Sequence, residues 1–223
     1  MPMTGFAWVL APRRLAVLLA AGLALAIGTG RALAQDHRQN APGEFDFYVL
    51  SLSWSPSFCA AASERGNTGR GVRTQCGGRP YSFVVHGLWP QYERGFPNYS
   101  QRPAPRLDRN VMTSMLDLMP APGLIYNEWD KHGTCSGLGG RGYFETIRKA
   151  RAAVKIPSEY LDLATPLTVT PGAVEEAFIK ANPGLSASAI AVPCDSRRLG
   201  EVRICNSAPA RKSIAAPAGA RMW

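Results

Sequence analysis

Histidine is scarce in this sequence, with three residues in 223, at positions 37, 86 and 132. There is no Cys-x-x-Cys pair. The stretch "NEWDKH" (127–132) departs from the H-E-x-x-H zinc helix, because Asn127 holds its first position and His132 comes one residue late. A zinc or iron site is therefore not expected, and neither a metal nor a cofactor is assigned. The Gly-rich "GLGGRG" (137–142) lacks the Gly-Lys-Ser/Thr ending of a phosphate loop and reads as a surface turn. No internal repeat and no low-complexity linker divides the chain. Charged residues make up only 18% and hydrophobic residues 46%, which excludes a disordered chain and predicts one ordinary globular core.

A long apolar run occurs at the start. Arg13 and Arg14 precede a run from Leu15 to about Ile27, and Ala32-Leu33-Ala34 offers a small-x-small cleavage site. The run is shorter than the ~20 residues that span a bilayer. Residues 1–34 are thus expected to be a cleaved signal peptide, and the mature protein to be secreted or periplasmic, with no membrane association. That segment carries Arg13, Arg14 and Arg31 and no acid, so the rest of the chain keeps 22 basic against 16 acidic residues, net +6. The excess favours an anionic partner without naming one. Residues 35–44 read as a flexible mature N-terminus, and residues 208–223, with Arg211, Lys212 and Arg221, as a mobile basic tail.

Five cysteines in an exported chain imply disulfides with one left over. Cys59 and Cys76 bracket a polar loop, and Cys194 and Cys205 bracket a segment able to turn back as a hairpin. Each pair staples a local loop at about 3 kcal/mol. Cys135 has no partner by this count.

"FDFYVLSLSW" (45–54) is aromatic and β-branched and predicts a strand ending at Ser55-Pro56. "YSFVVHG" (81–87) predicts a second strand, stopped by Gly87 and Pro90. Residues 93–107 read as a loop. Val111, Met112, Met115, Leu116 and Met119 stand at helical spacing between Asp108 and Pro120. Further helices are expected over 124–131, 143–154 and 171–182, and strands at "SASAIAVPC" and "LGEVRIC". Strands not followed in regular order by helices predict an α+β fold, a central antiparallel sheet packed with several helices in one domain.

On a helix, Glu128, Lys131 and His132 stand at i, i+3 and i+4 and share a face. Alone, such a face is equally a solvated Glu-Lys pair with a helix-terminal histidine. His86 changes the balance, because it and His132 are the two imidazoles outside the N-terminal segment, and each precedes a glycine. Two facing imidazoles, one neutral and one protonated, act as general base and general acid in one displacement. A neighbouring Lys and Glu polarise the charged centre between them.

"FVVHGLWPQY" (83–92) and "NEWDKHGTCSG" (127–137) together resemble the two active-site segments of the ribonuclease T2 family. "FDFYVLSLSWSPSFC" looks like the family's first strand, and the segment from Cys194 to Cys205 like its late disulfide hairpin. The resemblance covers nearly the whole mature chain and assigns 45–207 as a catalytic ribonuclease domain. It implies metal-free cleavage of single-stranded RNA by attack of the ribose 2′-hydroxyl, giving 2′,3′-cyclic phosphate ends, by a monomer. It implies His132 as general base, His86 as general acid, Glu128 and Lys131 as stabilisers of the phosphorane, and Trp89 as a base-stacking or pocket-shaping ring. Three positions depart from the family. Asn127 stands where a histidine is common and offers a phosphate a hydrogen bond in place of a charge. Leu124 replaces an aromatic residue. Ser100 replaces the cysteine that pairs with the counterpart of Cys135. A non-catalytic RNA- or polyanion-binding protein on the same scaffold is the alternative.

Overall fold

Strand β1, Phe47–Trp54, follows from strict alternation: Tyr48, Leu50, Leu52 and Trp54 face a buried core, while Val49, Ser51 and Ser53 face the other way. A computed structural model describes residues 38–161, 166–193 and 197–207, all within one compact unit. The expected signal peptide, the basic tail and Cys194 lie outside the described residues.

Two short helices follow β1: α1, Ser55–Glu64, and α2, Arg70–Cys76. Pro56 opens α1 where a missing N–H costs nothing, so the Ser-Pro pair that ends the strand also starts a helix. The polar segment between Cys59 and Cys76 is likewise mostly helical, and the expected disulfide joins α1 to the end of α2, with Cα atoms 5.6 Å apart. Inside this pair, Gln75 Nε2 donates to Ser55 Oγ at 2.9 Å.

Strand β2, Phe83–Gln91, runs four residues past Gly87 and through Pro90. It lies at the edge of the sheet, where a proline's missing N–H breaks no ladder bond. The register against β1 slips once: Ser51 faces Gly87 and Leu52 faces Val85, leaving His86 as the extra residue of a β-bulge. Before the bulge Phe83 and Val85 point to the core, and after it Leu88 does. Strands β3, Ile190–Ala191, and β4, Glu201–Ser207, complete an antiparallel sheet of order β2-β1-β4-β3.

The later helices supply the core face. The Met stripe forms only a short helix, α3, Arg109–Ser114, after which the chain turns, yet Val111, Met115 and Met119 are all buried as its spacing predicts. Helices α4, Pro122–Lys131, α5, Gly140–Ala152, and α6, Pro171–Ala181, add Ile125, Trp129, Tyr143, Phe144, Ile147, Val174 and Phe178. Each such side chain contributes about 1.5–3 kcal/mol on burial.

Two expectations need correction. Residues 38–44 are docked, not loose: Arg38 pairs with Asp46 at 2.7 Å, and the backbone N–H of Asn40 donates to the Tyr92 hydroxyl at 2.9 Å. Cys205 is a free, half-buried thiol and not one end of a disulfide. Its expected partner, Cys194, lies outside the described residues.

Candidate active site

The sheet face away from the helix-packed core is polar along three adjoining strands. It carries Ser51 on β1, His86, Gly87 and Trp89 on β2, and Glu201 and Arg203 on β4. The bulge leaves both His86 and Gly87 on this face, whereas a regular strand with Val85 in the core would turn Gly87 and Trp89 inward.

The C-terminal turn of α4 comes against strand β2. Glu128 is buried, with 3% of its side chain exposed, and its Oε2 accepts from Trp89 Nε1 at 2.8 Å. The approach depends on Gly87: a Cβ there would stand 2.0 Å from Glu128 Oε2 and 2.4 Å from Trp89 Nε1. His132 caps α4 and leads into a 3-10 turn, Gly133–Ser136. Gly133 is needed by close packing, because a Cβ would lie 2.4 Å from Trp129 Cε3. The glycine after each histidine thus permits a close contact between elements.

Trp89 contacts both imidazoles, its ring centroid 5.3 Å from that of His86 and 5.5 Å from that of His132. His86 Nε2 stands 3.8 Å from Glu128 Oε1, and its Nδ1 3.2 Å from Glu201 Oε2. Lys131 Nζ lies 6.0 Å from the ring of the exposed Phe96, whose centroid is 6.2 Å from that of His132. Asn127 is exposed on α4, one turn before Lys131.

The two imidazoles differ in proton affinity. Burial drives His132 down to about 3, helped by the charges of Lys131 and His86. Its Nδ1 is buried without a hydrogen-bond partner among the described residues, so a second ring proton has no acceptor there. Burial also opposes charge on His86, but the hydrogen bond to Glu201 and the charges of Glu128 and Glu201 prevail and raise it. Burial raises the Glu128 carboxyl, against the pull of His86, the Trp89 N–H and Lys131. The surroundings therefore disfavour a proton on His132 and favour one on His86 and on Glu128.

His86, Trp89, Glu128, Lys131 and His132 are thus brought into one cleft, as the sequence motifs predict. Sequence reading missed Ser51, Phe96, Glu201 and Arg203. The alternation of "EVRI" carried a signal for two of them, since buried Val202 and Ile204 leave Glu201 and Arg203 on the face of His86. Beside His86 opens a cavity of about 370 Å³, lined by Phe58, Val72, Val84, Ala121 and Leu124 among others.

A model of the Ribonuclease T2 family matches residues 45–215. A ribonuclease of Aeromonas hydrophila is 47% identical over 96 residues, 43% of this chain and 40% of that protein. Ribonuclease I of Escherichia coli is 29% identical over 177 residues, 64% of this chain and 65% of that one. The chain thus spans 40% to 65% of the length of these relatives. Among solved structures, RNase NT in complex with 5′-AMP superposes with a TM-score of 0.54 at 26% identity, covering 74% of this chain and 86% of that one. A variant of RNase MC1 in complex with 5′-UMP shares the fold, with a TM-score of 0.55 at 21% identity over 74% of this chain and 89% of that one.

Proposed function

The chain belongs to the ribonuclease T2 family, and from that premise we propose that it is a metal-independent endoribonuclease acting on single-stranded RNA. The observation that carries this reading is that two imidazoles meet one indole ring, at 5.3 and 5.5 Å, beside the buried carboxyl of Glu128, and their surroundings shift their proton affinities in opposite directions. Neutral His132 accepts the proton of a ribose 2′-hydroxyl as its oxygen attacks the adjacent phosphorus. Cationic His86 donates a proton to the departing 5′-oxygen as the P–O bond breaks. The products are a 2′,3′-cyclic phosphate and a 5′-hydroxyl.

Lys131 and Glu128 stabilise the charge that gathers on the phosphorane oxygens. A buried carboxyl with raised proton affinity suits that place, because in its protonated form it donates a hydrogen bond instead of repelling the phosphate. Asn127, exposed beside them, offers the phosphate a neutral hydrogen bond. Trp89 holds Glu128 and shapes the pocket between the histidines. The exposed ring of Phe96 and the apolar cavity beside His86 supply surfaces for bases flanking the scissile bond. The disulfide between Cys59 and Cys76 supports a secreted or periplasmic setting.

The test is cleavage of single-stranded RNA by the purified protein with analysis of the product ends. His86→Ala and His132→Ala are each expected to lower the rate by at least ~10²–10⁴-fold, and EDTA to leave the wild type unchanged. RNA binding without cleavage would indicate the non-catalytic alternative, and full activity in either variant would refute the assignment.

A further inference from the structure

We infer that Glu201 is a positioning residue that fixes the ring plane, tautomer and proton of His86, with Ser51 and Arg203 as its anchors. This rests on the reading of His86 as general acid. The carboxylate of Glu201 is held from two sides before it meets the imidazole. Its Oε2 accepts from Ser51 Oγ at 2.7 Å, and its Oε1 accepts from Arg203 Nε at 2.7 Å. Ser51 is fully buried and faces Gly87 on one neighbouring strand and Arg203 on the other. Turning the carboxylate away from His86 would strand a buried hydroxyl and release a guanidinium, so its direction is set by the sheet.

His86 needs such a fixed partner. It is the bulged residue of an edge strand, with 36% of its side chain exposed, so its backbone alone does not lock the ring. The contact of Nδ1 with a carboxylate oxygen at 3.2 Å makes Nδ1 the donor in both protonation states. Nε2 is then the nitrogen whose proton is gained and lost, and it stands on the side of Glu128 Oε1, at 3.8 Å. An acidic partner at Nδ1 selects the tautomer and stabilises the imidazolium, the arrangement known from catalytic triads.

The charged groups around His86 agree with this division. Glu201 and Glu128 favour its cationic form and Arg203 opposes it, but the guanidinium is engaged by the other oxygen of Glu201, with its carbon 5.4 Å from the Trp89 ring centroid. Lys131 and His132 belong to the end of α4, where burial and the charges of Lys131 and His86 disfavour charge on His132. Burial works against ionised Glu201, yet hydrogen bonds from His86, Ser51 and Arg203 hold it at about 2, so it stays an anion over the working range.

The experiment is Glu201→Gln, which keeps the size and removes the charge. NMR titration of the His86 ring is expected to show its midpoint falling by ~1 pH unit or more, with the alkaline limb of kcat/KM on RNA moving the same way. At neutral pH kcat should fall by about tenfold or more with KM unchanged, and Glu201→Asp should recover part of it. An unmoved midpoint and limb, with only the melting temperature lowered, would overturn the inference and leave Glu201 a tie between strands. If Glu201→Gln does not fold, Ser51→Ala takes its place: it keeps both charges, a fall in kcat at constant KM supports the inference, and wild-type kcat overturns it. A wild type that leaves RNA intact contradicts the nuclease reading, and the His86 midpoint then decides the role of Glu201 by itself.

Discussion

Trp89 Nε1 donates to Glu128 Oε2 at 2.8 Å, joining a residue of strand β2 to the C-terminal turn of helix α4. One bond thereby couples the two sequence motifs that hold the histidines. A buried carboxyl left without that donor would lose a charge-assisted hydrogen bond of about 1.5–3 kcal/mol.

The contact passes over Gly87, where any Cβ would come within 2.0 Å of the Glu128 oxygen. Gly87→Ala is therefore expected to push the carboxyl off Trp89, to destabilise the fold by about 1–3 kcal/mol, and to lower kcat/KM on RNA by about 10²-fold. Thermal melts and steady-state rates check it together. Wild-type activity in this variant would contradict the described approach of α4 to β2.

Acid should weaken the fold through His132. Its proton affinity is depressed from an ordinary 6.5 to about 3, so between those values the unfolded chain binds a proton that the folded one refuses. The stability tied to neutral His132 is present above pH 6.5 and is lost as pH falls toward 3. Glu201, lowered from 4.5 to about 2, has the same sign and loses its share between those values. Raised His86 has the opposite sign: its contribution is complete below 6.5 and is lost as pH rises through its folded value. Urea unfolding at pH 7, 5 and 4 should show a fall that is shallower in His132→Gln than in the wild type. Parallel curves would contradict the buried, neutral imidazole.

Cys135 and Ser100 are prepared for a bond they do not make. The backbone N–H of Ser100 donates to Cys135 Sγ at 3.3 Å, and the Ser100 hydroxyl is buried without a hydrogen-bond partner among the described residues. Ser100→Cys is expected to form a disulfide across a sequence separation of 35 residues, worth up to about 4 kcal/mol in the chain-entropy model. The check is two fewer titratable thiols in the oxidised variant than in its reduced form, read alongside a higher melting temperature. Two free thiols at these positions, or an unchanged melting temperature, would count against it.

Much of the site was legible because its chemistry is written in short, contiguous motifs. The i, i+3, i+4 spacing of Glu128, Lys131 and His132 needs only a helix, and α4 supplies it. The alternation of β1 and the Met stripe gave the core for the same local reason. What escaped the sequence depends on neighbours far along the chain. Pro90 continues a strand because β2 lies at a sheet edge, and edge position is decided by strand order. Glu201 matters to His86 because β1 places Ser51 between β2 and β4, which no local pattern records. Cys205 is a free thiol, and counting cysteines considers only their separation along the chain.

The central claim is that a 2′-hydroxyl is the attacking group and that His132 and His86 serve it. The most direct measurement uses a single-stranded oligodeoxynucleotide carrying one ribonucleotide. The wild type should cut once, on the 3′ side of that ribose, leaving a 2′,3′-cyclic phosphate on one product and a 5′-hydroxyl on the other. Cutting at the deoxynucleotides, or a product with no cyclic phosphate formed at any time, would contradict it.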